Sequence, residues 1–301
     1  MKANYGSEGN MAKAPVHKLG QMIGDFIEKY FESELSEICD EKQMYLDVVG
    51  KTRTARRGKK VSWNDIYGNK HDLDFVIERG GTDVTLGTPA ALIECAWRRY
   101  TKHSKNKAQE IQGAVLPIAE KYKYHKPFLG AILAGFYTEP SVQQLNSCGF
   151  ETVYFKYQDI VNAFSTVGVD IQYDEQTTDI SAEQKVRALK ALTNTQYQYV
   201  FNKIIELSSV EINTFKNKLK NALDRQILQI IIAPLYGSNL TFDTIDEAIT
   251  FLDEHNFEYL PENTELMKIF VQVRYSNGDN ISGDFINHIT ATHFLVHIVG
   301  V

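Results

Sequence analysis

A glutamate in the middle of an apolar run constrains this chain more than any other single feature. Ala91-Leu92-Ile93-Glu94-Cys95 reads as the inside of a buried strand. An ionised carboxylate is costly there unless a metal ion or a basic side chain meets it. A second apolar run, Leu73–Ile77, sits in His71-Asp72-Leu73-Asp74-Phe75-Val76-Ile77, with carboxylates at its start. A fold that sets the two strands side by side brings Asp74 and Glu94 to one point, and paired carboxylates are donors that suit Mg²⁺. The plainer alternatives are a salt bridge from Glu94 to Arg98 or Arg99, and a strand-end turn role for Asp74. Isolated mid-strand carboxylates are rarely structural, so the metal role is favoured for both.

The surrounding pattern predicts an α/β layout. Leu19, Met22, Ile23, Phe26, Ile27, Tyr30 and Phe31 recur at helical spacing over residues 17–38. Short strands are predicted at Tyr45–Val49, Val61–Tyr67, Leu73–Ile77 and within Pro89–Trp97. A helix follows from Ser104 to about Tyr122, with Pro117 as a kink. Strands at Pro127–Tyr137 and Thr152–Tyr157 come next, separated by a short helix at Ser141–Cys148. The later half reads as helices at Ser181–Leu192, Thr195–Leu207 and Ser209–Leu235, with Ser208 and Glu211 as a capping box. One more helix at Thr244–Glu254 precedes a strand at Met267–Tyr275, an Asn277-Gly278 hairpin turn and a last helix at about Asp284–Ile298. The expected division is a polar tail over 1–16, an α/β core over 17–169, and a mainly helical region over 170–301 ending in a hairpin and helix.

Charge is divided unevenly. The 301 residues carry a net charge of −6, which taken alone speaks against a polyanionic partner. Residues 51–107, however, hold 13 basic and six acidic side chains, a local charge of +7, leaving −13 elsewhere. A basic window around the two carboxylates can concentrate a polyanion locally; a solvated loop is the plainer reading of KTRTARRGKK. Three cysteines with no CxxC pair exclude a disulfide framework and a zinc ribbon, and point to a reducing cytoplasm. No apolar run reaches the roughly 18 residues of a membrane helix. Phosphate-loop, GxSxG and HExxH motifs are absent.

Asp74, then Ile93-Glu94 on the next strand, then the basic stretch Trp97-Arg98-Arg99-Tyr100-Thr101-Lys102-His103-Ser104-Lys105-Asn106-Lys107, resembles the PD-(D/E)XK nuclease superfamily. Within it, the segments HDLDFVIE and IECAWRRYTKHSKNKAQEI look most like type II restriction endonucleases. The resemblance covers about the first half of the chain and implies a restriction-endonuclease-like core, a mixed central sheet flanked by helices. By position it implies Asp74 and Glu94 as metal ligands, with Glu28 on the first helix as a further acidic ligand. The family's lysine, two residues after the glutamate, is Ala96 here. Two readings follow. A lysine from the next helix, Lys102, Lys105 or Lys107, supplies the catalytic charge, or Ala96 marks an inactive site.

The favoured expectation is a Mg²⁺-dependent endonuclease cutting double-stranded DNA at a specific site. Asp74, Glu94 and Lys105 or Lys107 would do the chemistry. Arg56, Arg57, Lys59, Lys60, Arg98, Arg99 and Lys102 would hold phosphates. The resemblance also implies a homodimer and a cognate DNA methyltransferase as system partner. The alternatives are a structure-specific repair nuclease and a catalytically inactive DNA-binding protein.

Overall fold

The computed structural model describes residues 15–98, 104–172, 177–235, 239–257 and 268–299. The first helix, α1 (Pro15–Lys42), runs further than the predicted span and buries Ile23, Ile27, Phe31, Leu35 and Ile38 along one stripe. It stops because Gln43 turns left-handed (φ 53°) and Met44 N–H bonds to the Cys39 carbonyl at 2.9 Å.

A five-stranded mixed sheet follows. Its strands are β1 (Tyr45–Val48), β4 (Phe75–Arg79), β5 (Thr88–Arg98), β6 (Phe128–Gly135) and β7 (Phe150–Lys156), in the order β1-β4-β5-β6-β7. The β1–β4 and β4–β5 pairs are antiparallel, and β5–β6 and β6–β7 are parallel. A separate hairpin, β2 (Val61–Asn64) with β3 (Lys70–Leu73), precedes β4 in the chain. The central strands are apolar on both faces because helices cover both. One face packs on α1, α4 (Tyr157–Ser165), α6 (Asn194–Leu207) and α7 (Ser209–Leu223); α2 (Ser104–Lys121) and α3 (Glu139–Ser147) cover the other with the hairpin. The α/β layout with a mixed central sheet is therefore as expected.

The later half departs from expectation. Helix α5 (Asp179–Ala191) and helices α6 and α7 belong to the first unit, because their apolar stripes join the same core as α1 and β5. Among the described residues one core therefore runs across the boundary expected at residue 170. The predicted helix Ser209–Leu235 is two elements: α7 ends at Leu223, and β8 (Ile227–Pro234) is a strand. The run Ile227–Pro234 is too short and β-branched to distinguish helix from strand by periodicity. Strand β8 pairs antiparallel with β10 (Ile269–Tyr275) and β9 (Leu240–Phe242). The predicted hairpin returns as β11 (Asn280–Phe285), completing the order β11-β10-β8-β9. With α8 (Ile245–Glu254) and α9 (His288–Val299), this sheet forms a second apolar core. Residues 170–301 are mainly helical and end in a hairpin and helix, as expected; the addition is that β8 and β9 join that hairpin in one sheet. Ser208 makes no side-chain cap, while capping boxes do form at Thr193/Gln196 and Thr244/Glu247. Among the described residues no helix is long and apolar enough to cross a membrane.

The basic loop between β1 and β2 is fastened from within. Arg56 Nε bonds to Asp47 Oδ2 at 2.6 Å, its Nη2 to Glu78 Oε1 at 2.6 Å, and its Nη1 to the Ser62 carbonyl at 2.7 Å. Arg53 Nε lies 2.6 Å from Asp47 Oδ1, an ion pair too bent for a hydrogen bond, and its Nη atoms hold the Lys51 and Lys60 carbonyls. All four charged side chains are buried. Arg56, expected to grip phosphate, is thus a structural cation that also stacks on Trp63, and it is withdrawn from any DNA surface. Arg56→Ala is expected to cost about 3–5 kcal/mol, because it leaves two carboxylates buried with a missing partner. Arg57→Ala, at an exposed site, should stay within about 0.5 kcal/mol. Urea denaturation checks both, and equal midpoints would remove the structural role of Arg56.

Candidate functional site

The site forms where the chain changes sheets. Strand β3 pairs with β2 as far as Leu73, and β4 joins the central sheet at Phe75; Asp74 is the single residue between. Regular antiparallel pairing of β4 with β5 ends at Phe75 opposite Ile93. One step beyond, Asp74 Oδ2 accepts the Cys95 N–H at 2.7 Å, so the carboxylate takes the place of a strand carbonyl. Along β5, Leu92, Glu94 and Ala96 share one face by strand alternation. Leu92 and Ala96 pack in the cluster that holds Ala108 and Ile111 of α2, so Glu94 also faces that helix.

Four residues are brought together in this way. Glu94 feels the negative charge of Asp74 and Glu28 and the positive charge of Lys107. Asp74 feels Lys107 as well. Burial and then the Asp74 charge push the Glu94 carboxyl up from its ordinary value. Burial raises Asp74 against the opposing pull of the Cys95 N–H and Lys107. Glu28 is pushed up to about 7 by burial, then by Asp74 and Asp25. Glu94 is 7% exposed, and its Oε1 has no hydrogen-bond partner.

Asp47 Oδ1 also lacks a hydrogen bond, but Arg53 Nε pairs with it at 2.6 Å. The other buried carboxylates among the described residues are all met: Asp47 by Arg53 and Arg56, Glu78 by Arg56 and the Gly87 N–H, and Asp65 by Asn69, His71 and the Tyr67 N–H. Of the alternative salt bridges from Glu94, the one to Arg98 is not formed, because Arg98 turns to Glu110 at 3.3 Å; Arg99 lies outside the described residues. Among the described residues, no group of three or more His, Cys, Asp or Glu side chains is drawn together as a ready metal cage. A two-carboxylate site still suits Mg²⁺, which keeps several waters and takes the remaining oxygens from phosphate.

The other expected residues divide. Lys107 lies within charge reach of both acids and pairs outward with Glu110 at 3.4 Å, whereas Lys105 is exposed on the same helix. Ala96 is 7% exposed and packs in the apolar cluster that holds Ala108 and Ile111 of α2. Arg57, Lys59 and Lys60 are exposed on the loop, Lys60 held to Asp72 at 2.5 Å. Arg99 and Lys102 lie outside the described residues. Sequence reasoning did not single out Tyr137, whose hydroxyl donates to the Ala96 carbonyl at 3.3 Å beside the site.

Metal-free folding should carry a pH signature. A carboxyl raised by folding is protonated more readily in the folded state. Its contribution is therefore full below the ordinary value of 4.5 and is lost as pH rises towards 7, the Glu28 value. His125, pushed down to about 4 by burial and neighbouring cations, acts in the opposite sense up to 6.5 and is common to both proteins compared. The urea midpoint of Glu28→Gln should accordingly fall less between pH 4.5 and 7 than that of the parent protein in EDTA. Parallel profiles would show that Glu28 does not titrate in this way.

No protein-family model matches the chain, and no curated protein matches it. Among solved structures, a crystal structure of a protein of unknown function, AF1548, aligns with 59% of this chain and 96% of its own at 10% identity, with a TM-score of 0.26.

Proposed function

We propose that this protein is a Mg²⁺-dependent endonuclease that cuts double-stranded DNA, most simply a site-specific restriction endonuclease. The observation that carries the reading is the unpartnered, buried Glu94 Oε1 beside Asp74, in a protein that meets its other buried carboxylates with hydrogen-bond or charge partners. The order of α1, three antiparallel strands β1, β4 and β5, then α2 and parallel β6 supports a restriction-endonuclease-like core.

Glu94 and Asp74 would hold the metal, with Glu28 near enough to bear on its charge or on a bound water. When bound, Mg²⁺ supplies Lewis acidity at the phosphate and a water of lowered pKa. Lys107 takes the part of the family lysine missing at position 96. Its ammonium lies near both carboxylates and can hold the attacking water or a phosphate oxygen. Tyr137 fixes the Ala96 backbone beneath it. Arg57, Lys59 and Lys60 are placed for backbone phosphates, which set register without reading sequence. Arg98 borders the same site through its pair with Glu110. A two-fold homodimer follows if the recognised sequence is palindromic. A cognate methyltransferase would then protect host DNA.

Plasmid incubated with Mg²⁺ should give discrete fragments, and none in EDTA. Intact plasmid across a range of Mg²⁺ and Mn²⁺ concentrations would overturn the nuclease reading and favour the DNA-binding alternative built on Ala96. Ladder-like or end-dependent products would favour the repair nuclease. Asp74→Ala and Glu94→Ala are expected to lose cutting while retaining DNA retardation in gels. Lys107→Ala should lower the single-turnover rate by about 10²–10³, the usual effect of removing one charge-stabilising donor. Lys105→Ala should change it little, and the reverse ranking would reassign the catalytic lysine.

A further inference from the structure

A second charged site lies at the opposite end of the central strands. Arg79 closes β4 and Thr88 opens β5, whereas Asp74 lies just before β4. Five residues of extended chain separate Arg79 from Asp74, about 17 Å at the usual strand rise. There a cavity of about 350 Å³ opens between the two units, lined by Arg79, Lys126, Arg225, His125, Tyr124 and Tyr275 among others.

Its charges do not balance. Asp279 is the carboxylate that meets this group, pairing with Lys126 at 2.5 Å and Arg225 at 3.3 Å. Asp224, next to Arg225 in the chain, is engaged by Lys42 at 2.6 Å. Arg225 is further occupied with the His125 and Lys126 carbonyls and lies over the Tyr275 ring. Arg79 has one long bond, 3.4 Å to the Leu223 carbonyl, lines the same cavity as Arg225 and feels its charge. Burial and that neighbouring guanidinium push Arg79 down from its ordinary value. His125, beside His297 at 3.0 Å, is pushed down to about 4, so it stands neutral at pH 7.

We propose that this cavity binds a phosphate-bearing small molecule of about mononucleotide size, its phosphate lying between Arg79 and Arg225. Two guanidinium forks with a lysine nearby match phosphate oxygens better than a single point charge. A cavity of this volume falls at the lower end of small-ligand sites, and the Tyr124, Tyr275, Ile227 and Ile298 walls suit an organic remainder. Strands β4 and β5 run directly from this cavity to Asp74 and Glu94, but the binding claim stands without the nuclease reading.

The test is titration calorimetry of the full chain in EDTA at low salt, with 5′-dAMP, inorganic phosphate and deoxyadenosine as probes. Saturable binding of dAMP or inorganic phosphate, with none of deoxyadenosine, is expected. Arg79→Gln should weaken it at least about tenfold, the order of one lost charge-assisted contact, and Arg79→Lys should weaken it less. Circular dichroism of both variants checks that they fold. Asp74→Ala should bind as the parent does. Absence of binding by both phosphate probes, equal binding to Arg79→Gln, or loss of binding in Asp74→Ala would overturn the proposal.

Discussion

Charge taken out of water must be met by opposite charge, a proton or a metal, and this demand organises the central sheet. At one place it is answered inside the chain. Asp47 on β1 and Glu78 on β4 enclose Arg53 and Arg56, and the four side chains lock the 51–60 loop against the sheet. The pairing is costly in desolvation, and its value lies in geometry: neither arginine can leave without stranding a carboxylate. The β2–β3 hairpin that follows is thereby held over the α2 face, and its end sets Asp74 at the start of β4.

At Glu94 the same demand is only partly answered, by the Asp74 backbone N–H and the charge of Lys107. Its Oε1 is buried without a hydrogen-bond partner, the charge of Lys107 on α2 reaches it, and two further acids press on it. A protein gains nothing in stability from that arrangement. The raised carboxyls of Glu94, Asp74 and Glu28 have burial as their first cause, and the proposed metal would relieve the like-charge part that follows it. Lys107 also gives Ala96 a physical meaning. Ala96 packs in the apolar cluster shared by β5 and α2, and in the proposed reading the cation would come from that helix.

How much of this was legible varies with the element. The run around Glu94 announces a buried carboxylate in need of a partner, and the helix from Ser104 announces its own apolar stripe. Yet Tyr45-Leu46-Asp47-Val48 carries the same signal as the Glu94 strand, an acid within an apolar strand, and its solution is opposite. Nothing local distinguishes them, because the partners arrive from residues 53 and 56 through a loop whose path depends on the whole sheet. The basic run KTRTARRGKK likewise reads as a uniform surface, although Arg53 and Arg56 point inward while Arg57, Lys59 and Lys60 point out. In the later half, Ile227–Pro234 is apolar but for Gln229 and too short to show a period, so its strand state was decided by pairing with β10 rather than by its own pattern.

By itself, then, the amino-acid order determined that apolar strands alternate with helices, that Asp74 and Glu94 stand at or within such strands, and that positive charge gathers in residues 51–107. These are local properties of side-chain period and composition. Tertiary structure alone decided which buried acids are neutralised and which one is left open, which lysine faces it, and that two arginines meet across a cavity between the units. Those outcomes depend on distances between residues far apart in the chain, and electrostatic energy in a desolvated interior turns on such distances.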